Sequence, residues 1–162
     1  MPLLPDWNLT CHPRVYKAFL HSQVADPEQR EEFCNFVRYC NASMCLFDIG
    51  ASYGAFSFVA AHFGGTAIAV EPSPIATRLI KLQSSLNGFD KNLRIVRACA
   101  GDTLGEVGML SSGIFPDGYF RIAPGRSSRE LTKTKAVTID HLADEFGPPT
   151  HIKIDVEGMK ER

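Results

Sequence analysis

The sequence has little of what marks several large protein classes. No apolar run approaches the ~18 residues that a membrane-spanning helix needs. Neither charge sign dominates: 17 Lys and Arg stand against 18 Asp and Glu, for a net charge of −1. That balance excludes binding nucleic acid or an anionic membrane by bulk electrostatics, and leaves only a local patch for such a role. Cysteine is sparse and odd in number, five in 162 residues. No two form a C-x-x-C pair, and Cys34, Cys40 and Cys45 lack zinc-ligand spacing. A chain of this length buries roughly 70% of its unfolded surface and needs no disulfide to fold. The thiols therefore read as free, mostly buried, and kept in a reducing compartment. The start, Met1-Pro2-Leu3-Leu4-Pro5-Asp6, has neither the basic residues nor the apolar stretch of a secretory signal. The expected location is the cytoplasm, and the sequons at Asn8 and Asn41 read as chance matches. There is no internal repeat, low-complexity tract, nucleophile elbow, P-loop or aromatic-basic RNA pattern. His12, His21, His62, His141 and His151 show no ligand spacing, so no metal site is expected from them.

What is there is a globular chain, 44% hydrophobic and 22% charged, of one domain's length. Residues 1–25 carry no clear pattern and are expected to lie over the surface. A helix then starts at the Asp26 cap, with Pro27 in its first position and Gln29 three after the cap. Its stripe of Phe33, Phe36, Val37 and Cys40 must pack on something. From residue 44 the period changes. The continuous apolar run 44–49 suits a strand buried on both faces, as in a parallel sheet. A short helix over 55–63 and a second strand over 66–70 follow. Ser73 caps and Pro74 opens a long helix, with Ile75, Leu79, Leu82 and Leu86 expected on its packed side and Gly88 as its stop. A third strand is expected over 93–98. Residues 101–138 read as an irregular hairpin region with a basic stretch of Arg121, Arg126, Arg129, Lys133 and Lys135. A short helix over 140–146 and a fourth strand over 150–155 complete the pattern. The fold expected is α/β: a Rossmann-like, doubly wound, mostly parallel sheet over 44–162, behind an extension over 1–43 with one helix.

Four constellations can carry chemistry. The first is Asp48-Ile49-Gly50-Ala51-Ser52-Tyr53-Gly54 at the end of the first strand. Gly50 lets backbone approach a ligand closely, and Gly54 permits tight entry into the next helix. The second is Glu71, 23 residues after Asp48 at the tip of the second strand, where an acid accepts hydrogen bonds from a ribose diol. Ser52 replaces the middle glycine of a dinucleotide fingerprint, and Asp48 would repel a pyrophosphate. Both favour S-adenosylmethionine, which carries an amino group and a sulfonium, over NAD. The third is Ala98-Cys99-Ala100-Gly101-Asp102, where small residues let an adenine lie flat and Asp102 is placed to take its amino group; a plain Asx turn explains it equally well. The fourth is Ile152-Lys153-Ile154-Asp155-Val156-Glu157-Gly158, which alternates polar and apolar. Polar groups inside a sheet are costly unless paired or used.

These segments, with Leu86-Asn87-Gly88 and Val137-Thr138-Ile139-Asp140, resemble in order and spacing the FkbM family of S-adenosylmethionine-dependent methyltransferases over residues 44–160. The resemblance implies a Rossmann-like methyltransferase fold and O-methylation of a hydroxyl on a sugar or natural-product-like small molecule. It implies that the loop Asp48, Gly50, Ala51, Ser52 and Gly54 holds the methionine end of S-adenosylmethionine. Glu71 would take the ribose hydroxyls, Asp102 would sit near adenine, and Asp155 and Glu157 would lie where the acceptor meets the methyl group. Ser52 stands where the family usually has Asn, and Lys160 where a Glu commonly follows. The chain also ends where such domains continue with further strands, so an incomplete sheet is expected.

On this reading Asp155 or Glu157 removes the acceptor's hydroxyl proton. A carboxylate pair this close also offers a divalent cation a seat. The partner expected is a small-molecule hydroxyl acceptor, a glycan included, with no nucleic acid and no membrane span. Two other readings stand beside it: a non-catalytic remnant that binds nucleoside or a partner protein, and, behind it, an NAD-dependent oxidoreductase.

Overall fold

The structure is a computed structural model that describes residues 9–19, 25–111, 120–122 and 132–156. Glu157, Gly158, Lys160, Arg126 and Arg129 lie outside the described residues. Helix α1 spans Pro13–Phe19 and α2 Pro27–Tyr39. Next come β1 (Cys45–Ile49), α3 (Ala55–His62), β2 (Thr66–Val70), α4 (Pro74–Leu86) and β3 (Leu93–Val96). Strands β4 (Cys99–Ala100), β5 (Gly105–Ser111), β6 (Phe120–Ile122) and β7 (Thr132–Val137) precede α5 (Ile139–Phe146) and β8 (His151–Ile154).

Strands β1, β2, β3 and β8 form one sheet in the order β3-β2-β1-β8, and every pair in it is parallel. The chain steps outward from β1 to β2 to β3, then returns to place β8 on the opposite side of β1. This reversal makes the sheet doubly wound, and the gap between β1 and β8 is its topological switch point. The second sheet runs β4-β7-β5-β6, with β5 antiparallel to both its neighbours. Its strands β5, β6 and β7 lie in the hairpin region 101–138 expected from the sequence, and β4 lies just before it.

Alternation along the strands sends their side chains to two apolar layers. On one face, Leu46, Ala67 and Ala69 pack with Val15, Phe33, Val59 and Ile80 from α1 to α4. Edge-to-face ring pairs at 5.0–5.3 Å chain Phe19, Phe33, Phe56 and Phe36 together across α1, α2 and α3. On the other face, Phe47, Ile49, Ile68 and Val70 meet Leu142 of α5 and Val137. Asp26 caps α2 as expected, accepting from the amides of Glu28 and Gln29. Among the described residues, no helix is long and apolar enough to cross a membrane.

The structure corrects three expectations. Residues 13–19, read as patternless, form α1, and Val15 enters the core. Too short for a helical stripe to show, α1 is held by tertiary packing. The packed side of α4 is not the one its leucines suggest. Ala76, Thr77, Ile80, Gln83 and Ser84 are buried, and of the four residues expected on the packed side only Leu79 packs against the core, while Ile75, Leu82 and Leu86 are exposed. The polar members of that side are satisfied. Gln83 accepts from the His12 amide at 2.8 Å, Thr77 donates to the Ser73 carbonyl at 2.9 Å, and Ser84 donates to Asp90 at 3.0 Å. Helix burial here follows hydrogen-bond satisfaction and close approach more than side-chain apolarity. The expected third strand stops at Val96, and Cys99–Ala100 pairs with β7 in the second sheet.

Candidate functional site

Strand β1 ends at Ile49 and the chain turns sharply. The Gly50 and Ala51 amides both donate to the Val70 carbonyl at the end of β2, at 2.9 and 3.1 Å. Gly50 adopts φ +76°, and a Cβ on it would lie 2.1 Å from the Asp155 carbonyl oxygen. No side chain fits there, so glycine is required where β8 crosses the turn. Ser52 also takes a left-handed conformation, φ +51°, and Gly54 opens α3 at φ +82°.

Two carboxylates hold this turn. Asp48 is fully buried. Its Oδ2 accepts from the Ser57 hydroxyl at 2.7 Å and from the Ser57 amide at 3.2 Å. Its Oδ1 makes an ion-pair contact with Lys153 Nζ at 3.5 Å, without a hydrogen bond. Glu71, 5% exposed, accepts from the Ser52 amide at 2.9 Å and from the Ser73 amide at 2.8 Å. Burial pushes the Glu71 carboxyl above the ordinary glutamate value of 4.5. The Ser73 and Ser52 amides pull it back, the neighbouring Asp48 charge adds to the rise, and Lys153 opposes it.

Lys153 closes the site from β8. Asp48 and Lys153 are register partners on adjacent strands. The lysine donates to the Gly50 carbonyl at 3.2 Å, lies 3.5 Å from Asp155 Oδ2, and sits 5.2 Å over the Phe56 ring. The alternation of β8 thus turns its lysine inward and leaves Ile152, Ile154 and Val156 about half exposed. Asp155 itself is 82% exposed at the mouth of the turn.

The structure therefore brings Asp48, Gly50, Ala51, Ser52, Gly54, Glu71 and Asp155 together at the carboxyl ends of β1, β2 and β8. Asp102 is exposed after β4, its side chain accepting from the neighbouring Thr103 hydroxyl at 3.4 Å, and among the described residues no hydrogen bond or ion pair ties it to this cluster. Glu157 lies outside the described residues. Sequence reasoning missed Ser57 and assigned Lys153 no partner. The signal for the lysine was a charge at mid-strand where a parallel neighbour carries Asp48. Among the described residues, no group of three His, Cys, Asp or Glu side chains could hold a metal ion.

No family model matches the chain, and no curated protein matches it. Several solved structures align over part of it. TYW2 from P. horikoshii, in complex with MeSAdo, is 20% identical with a TM-score of 0.42, over 50% of this chain and 31% of that one. The C-terminal domain of precorrin-6Y C5,15-methyltransferase from Rhodobacter capsulatus is 20% identical with a TM-score of 0.44, over 61% and 48%. A SAM-dependent methyltransferase from Thiobacillus denitrificans, in complex with S-adenosyl-L-homocysteine, is 16% identical with a TM-score of 0.38, over 55% and 38%. The chain thus spans about a third to a half of the length of these structures.

Proposed function

We propose that the chain is an S-adenosylmethionine-dependent methyltransferase domain of the FkbM type, acting on a hydroxyl of a sugar or similar small molecule. The observation that carries this reading is the placement of Glu71. It ends β2 beside a glycine turn at the switch point, where open α/β sheets bind ligands. Its two oxygens each accept one backbone amide, which leaves about two of a carboxylate's roughly four acceptor sites for a ribose diol. Gly50 and Gly54 are needed for packing, against Asp155 and against Ile80 and Phe58, and that packing sets the path of the turn beside Glu71. The residue pattern from Asp48 to Asp155 supports the family.

When bound, S-adenosylmethionine supplies a methyl group already activated by its sulfonium. The chain's task is then mainly alignment. Glu71 binds the sugar of the cofactor. Asp48, whose oxygens face Ser57 and Lys153, shapes the turn from behind and leaves ligand contact to the backbone of 50–54. Asp155, exposed at the mouth, takes the acceptor's hydroxyl proton, with Glu157 the alternative base. The adenine role of Asp102, which is exposed after β4, is supported by the family resemblance alone.

The test is thermal unfolding with S-adenosylmethionine or S-adenosylhomocysteine, for the wild type and Glu71→Ala. A ligand at about 100 times its dissociation constant stabilises by roughly 2.7 kcal/mol, several degrees for a domain of this size. A wild-type shift that Glu71→Ala loses is expected. A cooperative wild-type transition that neither ligand moves would refute the reading.

A further inference from the structure

We infer that Lys153 is the positioning residue of the glycine turn: its ammonium locks the Asp48 carboxylate and the Gly50 carbonyl in place, and sets the charge the turn presents to a ligand. The inference about charge rests on the cofactor reading above; the inference about position does not.

The geometry is specific. One ammonium reaches three oxygens on three segments: Asp48 Oδ1 at 3.5 Å, the Gly50 carbonyl at 3.2 Å and Asp155 Oδ2 at 3.5 Å. Its side chain is only 14% exposed, and the Phe56 ring lies beneath it. No other cation pairs with Asp48 among the described contacts, and the carboxylate is fully buried. A buried carboxylate stripped of its counter-charge is strongly destabilising, so the lysine's absence would be felt at the turn. Charge around the ammonium is one-sided. Asp48 faces it from β1, Glu71 from the end of β2 and Asp155 from the end of β8, while α3 contributes neutral groups, the Phe56 ring under the ammonium and Ser57 bonded to Asp48. Three carboxylates against one ammonium leave the turn net negative. It therefore favours a cationic ligand group, and Lys153 limits how strongly.

Three variants test this. Lys153→Met keeps the length and apolar stem over Phe56, Lys153→Arg keeps the charge, and a double variant adds Asp48→Asn to Lys153→Met. Unfolding midpoints are measured without ligand between about pH 5 and pH 8. The Met variant is expected to melt roughly 5–10 °C below wild type at the upper end. The gap narrows at the lower end, because the orphaned Asp48 takes up a proton and the folded state then gains stability as pH falls. The double variant recovers most of the gap, and the Arg variant recovers it without pH dependence. A gap that is equal at both ends of the range, or that Asp48→Asn does not close, would overturn the inference. So would failure of both the Met and the double variant to fold.

A second readout separates positioning from mere support. S-adenosylmethionine and S-adenosylhomocysteine differ by one methyl group and its positive charge. The ratio of their affinities is expected to shift about tenfold toward the cation in the Met variant. An unchanged ratio overturns the inference about charge. If neither compound binds the wild type, the cofactor reading falls, and the pH profiles alone decide the role of Lys153.

Discussion

At the residue scale, the site is built from groups whose energetic roles differ sharply although their types repeat. Gly50 and Gly88 both have positive φ, +76° and +73°. Only Gly50 has backbone in the way of a Cβ; around Gly88 nothing lies within 4 Å. Gly88→Ala should therefore cost only the conformational strain, about 1 kcal/mol. Gly50→Ala adds a backbone clash and should cost about 3 kcal/mol or more, with β8 pushed off the turn. Urea titration of the two variants checks the difference. Glu71 makes a pH prediction. Its folded value is raised by burial, so its contribution to stability is present below the ordinary value of 4.5 and is lost as pH rises through the raised one. Ligand binding runs the other way, because ribose hydroxyls donate to the charged form. Affinity for S-adenosylhomocysteine should weaken on acidification in a window that begins above 4.5. Calorimetry across that window should find the dependence in wild type and not in Glu71→Gln.

At the element scale, the starts of α2 and α4 were legible because each has a local chemical cause. Asp26 and Ser73 accept from their helices' first amides, and Pro27 and Pro74 occupy the first helical positions. The buried side of α4 was not legible. Its Gln83 is buried because the chain near His12, some 71 residues away, donates an amide to it. No pattern within the helix announces that partner. Ile80→Ala should cost about 2–5 kcal/mol as a buried truncation. Leu82→Ser, on the exposed stripe, should stay within about 0.5 kcal/mol. Denaturation midpoints that reversed this order would show that the leucine stripe is the packed side after all.

At the scale of the whole molecule, the parallel β-α-β series could be read from continuous apolar strands and alternating helices. The place where the sheet reverses direction could not. Strand β8 meets β1 across a sequence separation of 105 residues, marked by the Thr150 hydroxyl accepting from the Cys45 amide at 2.9 Å. That single adjacency puts Lys153 beside Asp48 and Asp155 over Gly50, and so creates the site. The motif residues were visible individually; their assembly depends on topology. The central claim is that this switch point binds an S-adenosyl nucleoside through Glu71 and the glycine turn. The most direct measurement is a titration of S-adenosylhomocysteine followed by amide NMR. The account predicts that the Ser52 and Ser73 amides, the donors to Glu71, shift with Gly50 and Gly54, while α1 and β5 stay still. A spectrum unchanged at saturating ligand, or shifts confined to residues away from the carboxyl ends of β1 and β2, would contradict it.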